Sequence, residues 1–141
     1  RDGTIPIAPG AFPSESFERL GTEVAARLDL YDLSGALDVI WDIVRSLNKF
    51  VTDQKPWELA KDEARAAELD GVLYALADGL RAVAVALSSY LPEIAPRILQ
   101  ALGQPEELAW DLVAPGKTVA GEPVEAAAPL FPRVEAPATA A

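Results

Sequence analysis

One proline does more than any other residue to limit what this chain can become. Pro56 stands between two long apolar runs, in the stretch Lys49-Phe50-Val51-Thr52-Asp53-Gln54-Lys55-Pro56-Trp57-Glu58-Leu59-Ala60-Lys61. Its locked φ suits a first helical turn, where a missing N–H leaves nothing unsatisfied, and excludes it from a helix interior. The stretch therefore reads as the end of one helix, a tight connection and the start of a second. Trp57 follows at once, so a large rigid ring is placed at an elbow. From there an indole faces either the core or a ligand.

The helices on both sides are legible from their periods. Residues 1–13 hold Gly3, Pro6, Pro9, Gly10 and Pro13 and read as an irregular arm. Ser14 or Ser16 caps the next segment, in which Phe17, Leu20, Val24 and Leu28 recur at helical spacing before a stop at 29–32. Ser34 is the next expected N-cap, with Asp38 in the opening turns. Leu37, Ile40, Trp41, Val44, Leu47 and Val51 then carry the apolar stripe to the elbow. Asn48 falls inside that stripe. A buried amide left unbonded costs about 1–3 kcal/mol, so Asn48 is expected to hydrogen-bond the backbone of the 53–57 connection.

Beyond a short turn from Trp57, residues 64–91 predict a long helix with Leu69, Val72, Leu73, Leu76, Leu80, Val83, Ala84, Leu87 and Leu91 on its buried side. Gly71 and Gly79 weaken it locally and are candidates for close helix packing. Pro92 ends this helix, Pro96 suits the first turn of the next, and Gly103 is a natural C-cap. Residues 104–112 predict one further short helix, with Trp110 as a satellite anchor. From Val113 onward, Gly116, Gly121 and five prolines remove any helical period. Pro129-Leu130-Phe131-Pro132-Arg133-Val134 is an extended apolar patch expected to dock on the bundle or a neighbour, and residues 136–141 read as disordered.

The architecture expected is all-α: a bundle of about four to five helices over residues 14–112, an extended tail over 113–135, and a loose end. At 141 residues there is enough chain for one core but not two. No run approaches the roughly 18–20 apolar residues of a membrane span. No secretory leader pattern is visible, so a cytoplasmic protein without membrane contact is the expectation. Arg1 opens the sequence and Met is absent throughout, which reads as a processed chain or a part of something longer.

The missing residue types restrict the chemistry. With neither Cys nor His, the usual zinc sites cannot be built and no metal is expected. A serine or cysteine nucleophile with a histidine base is excluded as well. Pro115-Gly116-Lys117-Thr118 looks like the end of a phosphate-binding loop, but Asp111 occupies the position that needs the first Gly, and no strand precedes it. The adjacent carboxylates Asp62-Glu63 and Glu106-Glu107 sit at helix ends, open to water, and not in a cleft where their environments would differ.

A net charge of −10 opposes broad electrostatic capture of nucleic acid. Yet between Arg45 and Lys61 four basic residues face only Asp53 and Glu58. Most Trp residues pack in or beside a core, but a small basic island beside an indole at a corner suits a local contact, since a base stacking on an exposed aromatic ring contributes about 1–3 kcal/mol.

Asn48-Lys49-Phe50 followed by Lys55-Pro56-Trp57-Glu58-Leu59-Ala60-Lys61 resembles the anticodon-binding helical domain of class I aminoacyl-tRNA synthetases, most closely the methionyl branch. Pro129-Leu130-Phe131-Pro132-Arg133-Val134-Glu135 is similar to the stretch that closes the core of those enzymes. The resemblance runs from about Ser14 to Glu135. It implies that Trp57 stacks on an anticodon base of tRNA, with Pro56 beside it. Asn48 matches the family's asparagine in the preceding helix, and Lys49, Lys55 and Lys61 surround the contact. Leu130, Phe131 and Arg133 would return toward a catalytic domain.

The resemblance also implies an activity that this chain lacks. The family joins methionine to ATP on a Rossmann domain with His-Ile-Gly-His-like and Lys-Met-Ser-Lys-Ser-like signatures. A sequence without His and Met holds neither in that form. No cofactor is therefore expected here; ATP and methionine would bind the absent catalytic domain. Two other readings stay open: a helical protein–protein interaction module with an acidic surface, or the anticodon domain of another class I synthetase.

Overall fold

The computed structural model describes residues 3–8 and 14–132. Five α-helices follow in order among them: α1 (Glu15–Asp29), α2 (Leu33–Gln54), α3 (Pro56–Leu59), α4 (Ala66–Leu87) and α5 (Ile94–Ala101). Two single 3₁₀ turns, Glu63–Arg65 and Trp110–Val113, complete the set. The expected helical bundle is what forms. No described helix is long and apolar enough to cross a membrane.

Ser14 caps α1 by accepting the Phe17 N–H, and the α1 stripe of Phe17, Leu20 and Val24 is buried. The α2 cap is Asp32 and not the expected Ser34. Its carboxylate accepts the Gly35 N–H at 2.9 Å and pairs with Arg27 at 2.8 Å, so a charged acceptor already fixed in the turn displaces the hydroxyl.

The α2 stripe is also rotated. The buried line is Ala36, Ile40, Ile43 and Leu47, while Trp41 is exposed and Leu37, Val44 and Val51 are half-buried. At 3.6 residues per turn this line lies about 60° from the expected one. The apolar arc of α2 is wider than its neighbours cover, and the bundle uses one edge of it. Gly79 fits the edge used: a Cβ there would stand 2.5 Å from Leu47 Cδ2, so a larger residue would force that side chain to shift. Gly71 has open space beside it and plays no such part.

The long helix expected over 64–91 is α4, shortened at both ends, and its buried side departs from the expected stripe. Leu80 is exposed, whereas Asp78 and Arg81 are 1% and 3% exposed. They pair at 2.8 Å. Asp78 also accepts the Gly116 N–H at 2.6 Å, the Thr118 N–H at 3.2 Å and the Thr118 hydroxyl at 2.7 Å. Arg81 donates to Thr118 Oγ1 and to the carbonyls of Leu112 and Ala114. Tyr74 adds a bond from its hydroxyl to the Thr118 carbonyl, and burial raises its pKa above the ordinary phenol value, with the Asp78 charge a second cause. The Gly-Lys-Thr stretch is thus a clamp around an internal carboxylate.

The helix expected over 104–112 does not form; only Trp110–Val113 makes a turn. Gln104 accounts for this. Its amide accepts the Val119 N–H at 2.8 Å and donates to the carbonyls of Val119 and Leu102, holding the irregular backbone that follows α5. Trp110 packs over Gly21 of α1, as an anchor should. The described part of the N-terminal arm is not loose. Thr4 bridges Pro123 in antiparallel fashion, Ile5 exchanges bonds with Glu122 and Gly121, and its side chain is buried. Residues 9–13, Arg133 and the 136–141 end lie outside the described residues.

Replacing Asp78 by Ala leaves a guanidinium buried without its counter-charge. The expected loss of unfolding free energy is about 3–5 kcal/mol, read by urea denaturation. A second expectation concerns pH. The Arg27 hydrogen bond, followed by that of the Gly35 N–H, holds the Asp32 carboxyl below its ordinary value. Its cap is therefore complete above the usual aspartate range and is lost as pH falls through the depressed value. The Gly35 amide proton should titrate in NMR with a midpoint lower than that of a free aspartate.

Candidate nucleic-acid interface

The elbow is built from one unusual backbone position. Lys55 adopts φ 45°, ψ 61°, the left-handed region that non-glycine residues enter at a cost of about 1–2 kcal/mol. The conformation lets one residue serve two helices. The Lys55 N–H closes α2 on the Val51 carbonyl at 3.0 Å, and the Lys55 carbonyl opens α3 by accepting Glu58 N–H at 2.8 Å. Pro56 then occupies the first turn of α3. Leu59 anchors that turn, buried with Leu69 and Val72 against Phe50, Leu73 and Leu76.

Trp57 lies between the reversed backbone and this anchor. Pro56 is half-buried behind it, and the indole is 51% exposed. Its backbone is fixed while much of its ring faces water, the arrangement of a stacking platform.

The charges around it are less free than the sequence implies. Lys49 pairs with Asp53 and Lys61 with Glu58 at 2.9 Å, each across one helical turn. Arg45 pairs with Asp42, an acid just outside the basic stretch. Among the described residues of the stretch, Lys55 alone among the cations makes no ion pair. Exposed pairs of this kind contribute only about 0–1 kcal/mol, so a phosphate arriving at Lys49 or Lys61 competes with a weak partner.

Asn48 departs from its expected place. It lies on the exposed side of α2, its carbonyl accepts the Thr52 hydroxyl at 3.0 Å, and its side chain makes no hydrogen bond to the 53–57 connection. The rotation of α2 is the cause, since it carries position 48 out of the buried line. The amide therefore points from the same outer surface as Lys49, free to pair with something else.

The tail residues divide. Leu130 is half-buried in a shallow groove against Arg97, Gln100 and Ala101 of α5, whereas Phe131 is 68% exposed. The two candidate surfaces are thus separate, one at the elbow and one beside α5. The Asp78–Arg81 clamp was not found from the sequence, although an acid and a base three apart within an apolar run were a usable signal.

No family model matches the sequence. Among curated proteins, it is 34% identical to the methionine–tRNA ligase of Caldanaerobacter subterraneus subsp. tengcongensis over 119 residues, 84% of this chain and 19% of that one. It is also 34% identical to that of Deinococcus radiodurans over 145 residues, 96% of this chain and 21% of the other. The solved apo form of Mycobacterium tuberculosis methionyl-tRNA synthetase superposes with a TM-score of 0.83 at 27% identity, covering 96% of this chain and 29% of its own. The chain spans about a fifth of the length of the curated relatives it matches.

With that breadth of agreement in sequence and fold, the bundle and its Lys-Pro-Trp elbow are a helical domain of the aminoacyl-tRNA synthetase kind. The branch is equally plain: this chain belongs with the methionyl-tRNA synthetases and fits a C-terminal domain of theirs.

Since the Asn48 side chain is exposed and unbonded, Asn48→Ala should change the unfolding free energy by no more than about 0.5 kcal/mol in thermal or urea denaturation. A buried bracing amide would cost several times that.

Proposed function

We propose that this chain is the anticodon-binding domain of a methionine–tRNA ligase, working in the cytoplasm in protein biosynthesis. It recognises the anticodon loop of the methionine tRNA, while a catalytic domain of the longer enzyme joins methionine to that tRNA at the expense of ATP. The observation that carries this reading is the half-exposed Trp57 ring on an immobilised elbow, beside a lysine that makes no ion pair among the described residues. An anticodon base stacks on the indole against the Pro56 edge. Lys55 meets the neighbouring phosphate, and Lys49 and Lys61 exchange their carboxylates for others. Asn48, whose side-chain amide makes no hydrogen bond among the described residues, reads a base edge or the sugar from the adjacent turn of α2.

The acidic body has a use in this scheme. A surface of net charge −10 repels RNA wherever no matching contact exists, so binding is confined to the elbow and depends on the loop sequence more than on duplex charge. Leu130, Phe131 and Arg133 lie far from it in sequence and serve the connection to the catalytic domain.

Binding of a methionine anticodon stem-loop, and of the same hairpin with a changed anticodon, tests the reading by fluorescence anisotropy. Trp57→Ala is expected to weaken the cognate hairpin about five- to hundredfold and to bring it level with the changed one, with the melting temperature preserved. Equal weak binding of both hairpins by the unaltered chain would remove the proposal. Methionine-dependent pyrophosphate exchange with ATP is expected to be absent from this chain in either case.

A further inference from the structure

Between α4, α5 and the segment that returns across them the packing leaves a gap. Val85 of α4 and Leu99 of α5 lie at the bottom of a cavity of about 100 Å³, and Leu112 and Val119 of the returning segment complete its apolar lining. Val85 and Leu99 are buried, whereas Val119 is 44% exposed, so the cavity opens beside it. Trp57 and its lysines take no part in this lining, and the anticodon contact has no use for it.

Three charged side chains share the same cavity: Arg81, Lys117 and Glu107. A guanidinium offers five N–H groups. Those of Arg81 Nε and Nη2 go to Thr118, Asp78 and Ala114, and Nη1 gives one to Leu112. The second N–H of Nη1 has no acceptor among the described residues, although the side chain is only 4% exposed. Lys117 directly precedes Thr118, the acceptor of Arg81 Nε–H, so the ammonium and the guanidinium enter from neighbouring positions. Glu107 enters from the stretch that follows Gln104 and Pro105. Lys117 and Glu107 are exposed, and neither makes an ion pair among the described residues.

We propose that this cavity binds a free α-amino acid whose aliphatic or thioether side chain has about four heavy atoms. Its carboxylate meets Lys117 and the unpaired Arg81 N–H, its ammonium meets Glu107, and its side chain fills the space between Val85, Leu99, Leu112 and Val119. The site goes beyond the anticodon reading and does not depend on it.

Volume selects the side chain. A dry apolar cavity of about 150 Å³ takes benzene, so one of about 100 Å³ takes about four heavy atoms. Leucine, isoleucine and methionine meet that size; alanine leaves a void, and phenylalanine does not fit. Charge selects the head group. A simple carboxylic acid leaves Glu107 without a partner, and a simple amine leaves Lys117 and the guanidinium without one. A zwitterion answers all three. An occupant also touches α4, α5 and both ends of the segment between Gln104 and Val119, so it stabilises the folded chain in proportion to its affinity.

The test titrates the chain with L-leucine, L-isoleucine and L-methionine, followed by the NMR shifts of the Lys117 and Val119 amides and by the melting temperature. Saturable shifts are expected with dissociation constants of about 0.1–10 mM, the range open to ligands of this size. Alanine, phenylalanine, N-acetyl-leucine and leucinamide are each expected to bind about tenfold more weakly or worse. Val119→Trp plugs the opening at an already exposed position; it should keep the melting temperature and abolish saturation. Glu107→Gln should remove the preference for leucine over N-acetyl-leucine, and Lys117→Met the preference over leucinamide. No saturable shift up to about 50 mM of all three amino acids overturns the proposal. So does equal binding of the blocked derivatives, or binding that survives Val119→Trp. Hairpin affinity is measured separately: its failure removes the anticodon reading and leaves the amino-acid site standing, and the reverse outcome removes the site alone.

Discussion

A single buried carboxylate organises the segment after α5, which has no α-helix of its own. Asp78 lies inside α4, where removing a charge from water costs several kcal/mol unless every lone pair finds a donor. Arg81, Gly116 and Thr118 supply those donors. The guanidinium in turn needs acceptors and takes them from Thr118, Leu112 and Ala114. Each partner of the pair is satisfied only if the chain after α5 turns back across α4. The electrostatic requirement of two side chains thereby gives one path to a segment whose glycines and prolines would otherwise permit many.

The elbow solves a different problem by a related method. Presenting an indole to solvent in a fixed direction requires the backbone on both sides to be immobile. The left-handed Lys55 and the buried Leu59 achieve this within five residues. On the proposed function, a ring held this way would lose little conformational freedom when a base arrives, leaving more of the contact energy for discrimination. The weak ion pairs of Lys49 and Lys61 keep those side chains ordered without committing them. Structure and proposed function meet here in a simple division: rigid backbone, exchangeable charges.

Much of this was legible in the sequence, and the failures share a cause. Ser14, Pro56 and Gly103 mark element boundaries through local chemistry, and the structure keeps all three, whereas α4 stops at Leu87, ahead of the Pro92 expected to end it. Ser34 failed as a cap because Asp32 was already drawn in by Arg27, a partner five residues back. Asn48 was misplaced because periodicity gives the width of an apolar arc but not which part of it a neighbour will cover; Gly79, more than 30 residues downstream, faces the part that is used. The same rotation exposes Trp41. Gln104 took its residues out of a helix by bonding Val119, and the apolar period of α4 does not tell that Thr118 returns to Asp78. Local rules read local causes. Long-range pairing of polar groups was hidden from them.

The bridge between Thr4 and Pro123 has a mechanical consequence. The extended segments around Thr4 and Pro123 lie side by side, joined by three backbone bonds from Ile5, Gly121 and Val124. Tension applied along the polypeptide would load those bonds first and peel them one at a time, with the helices beyond them spared. A fold tied off at its neck in this fashion keeps a pull on its two described ends away from its core.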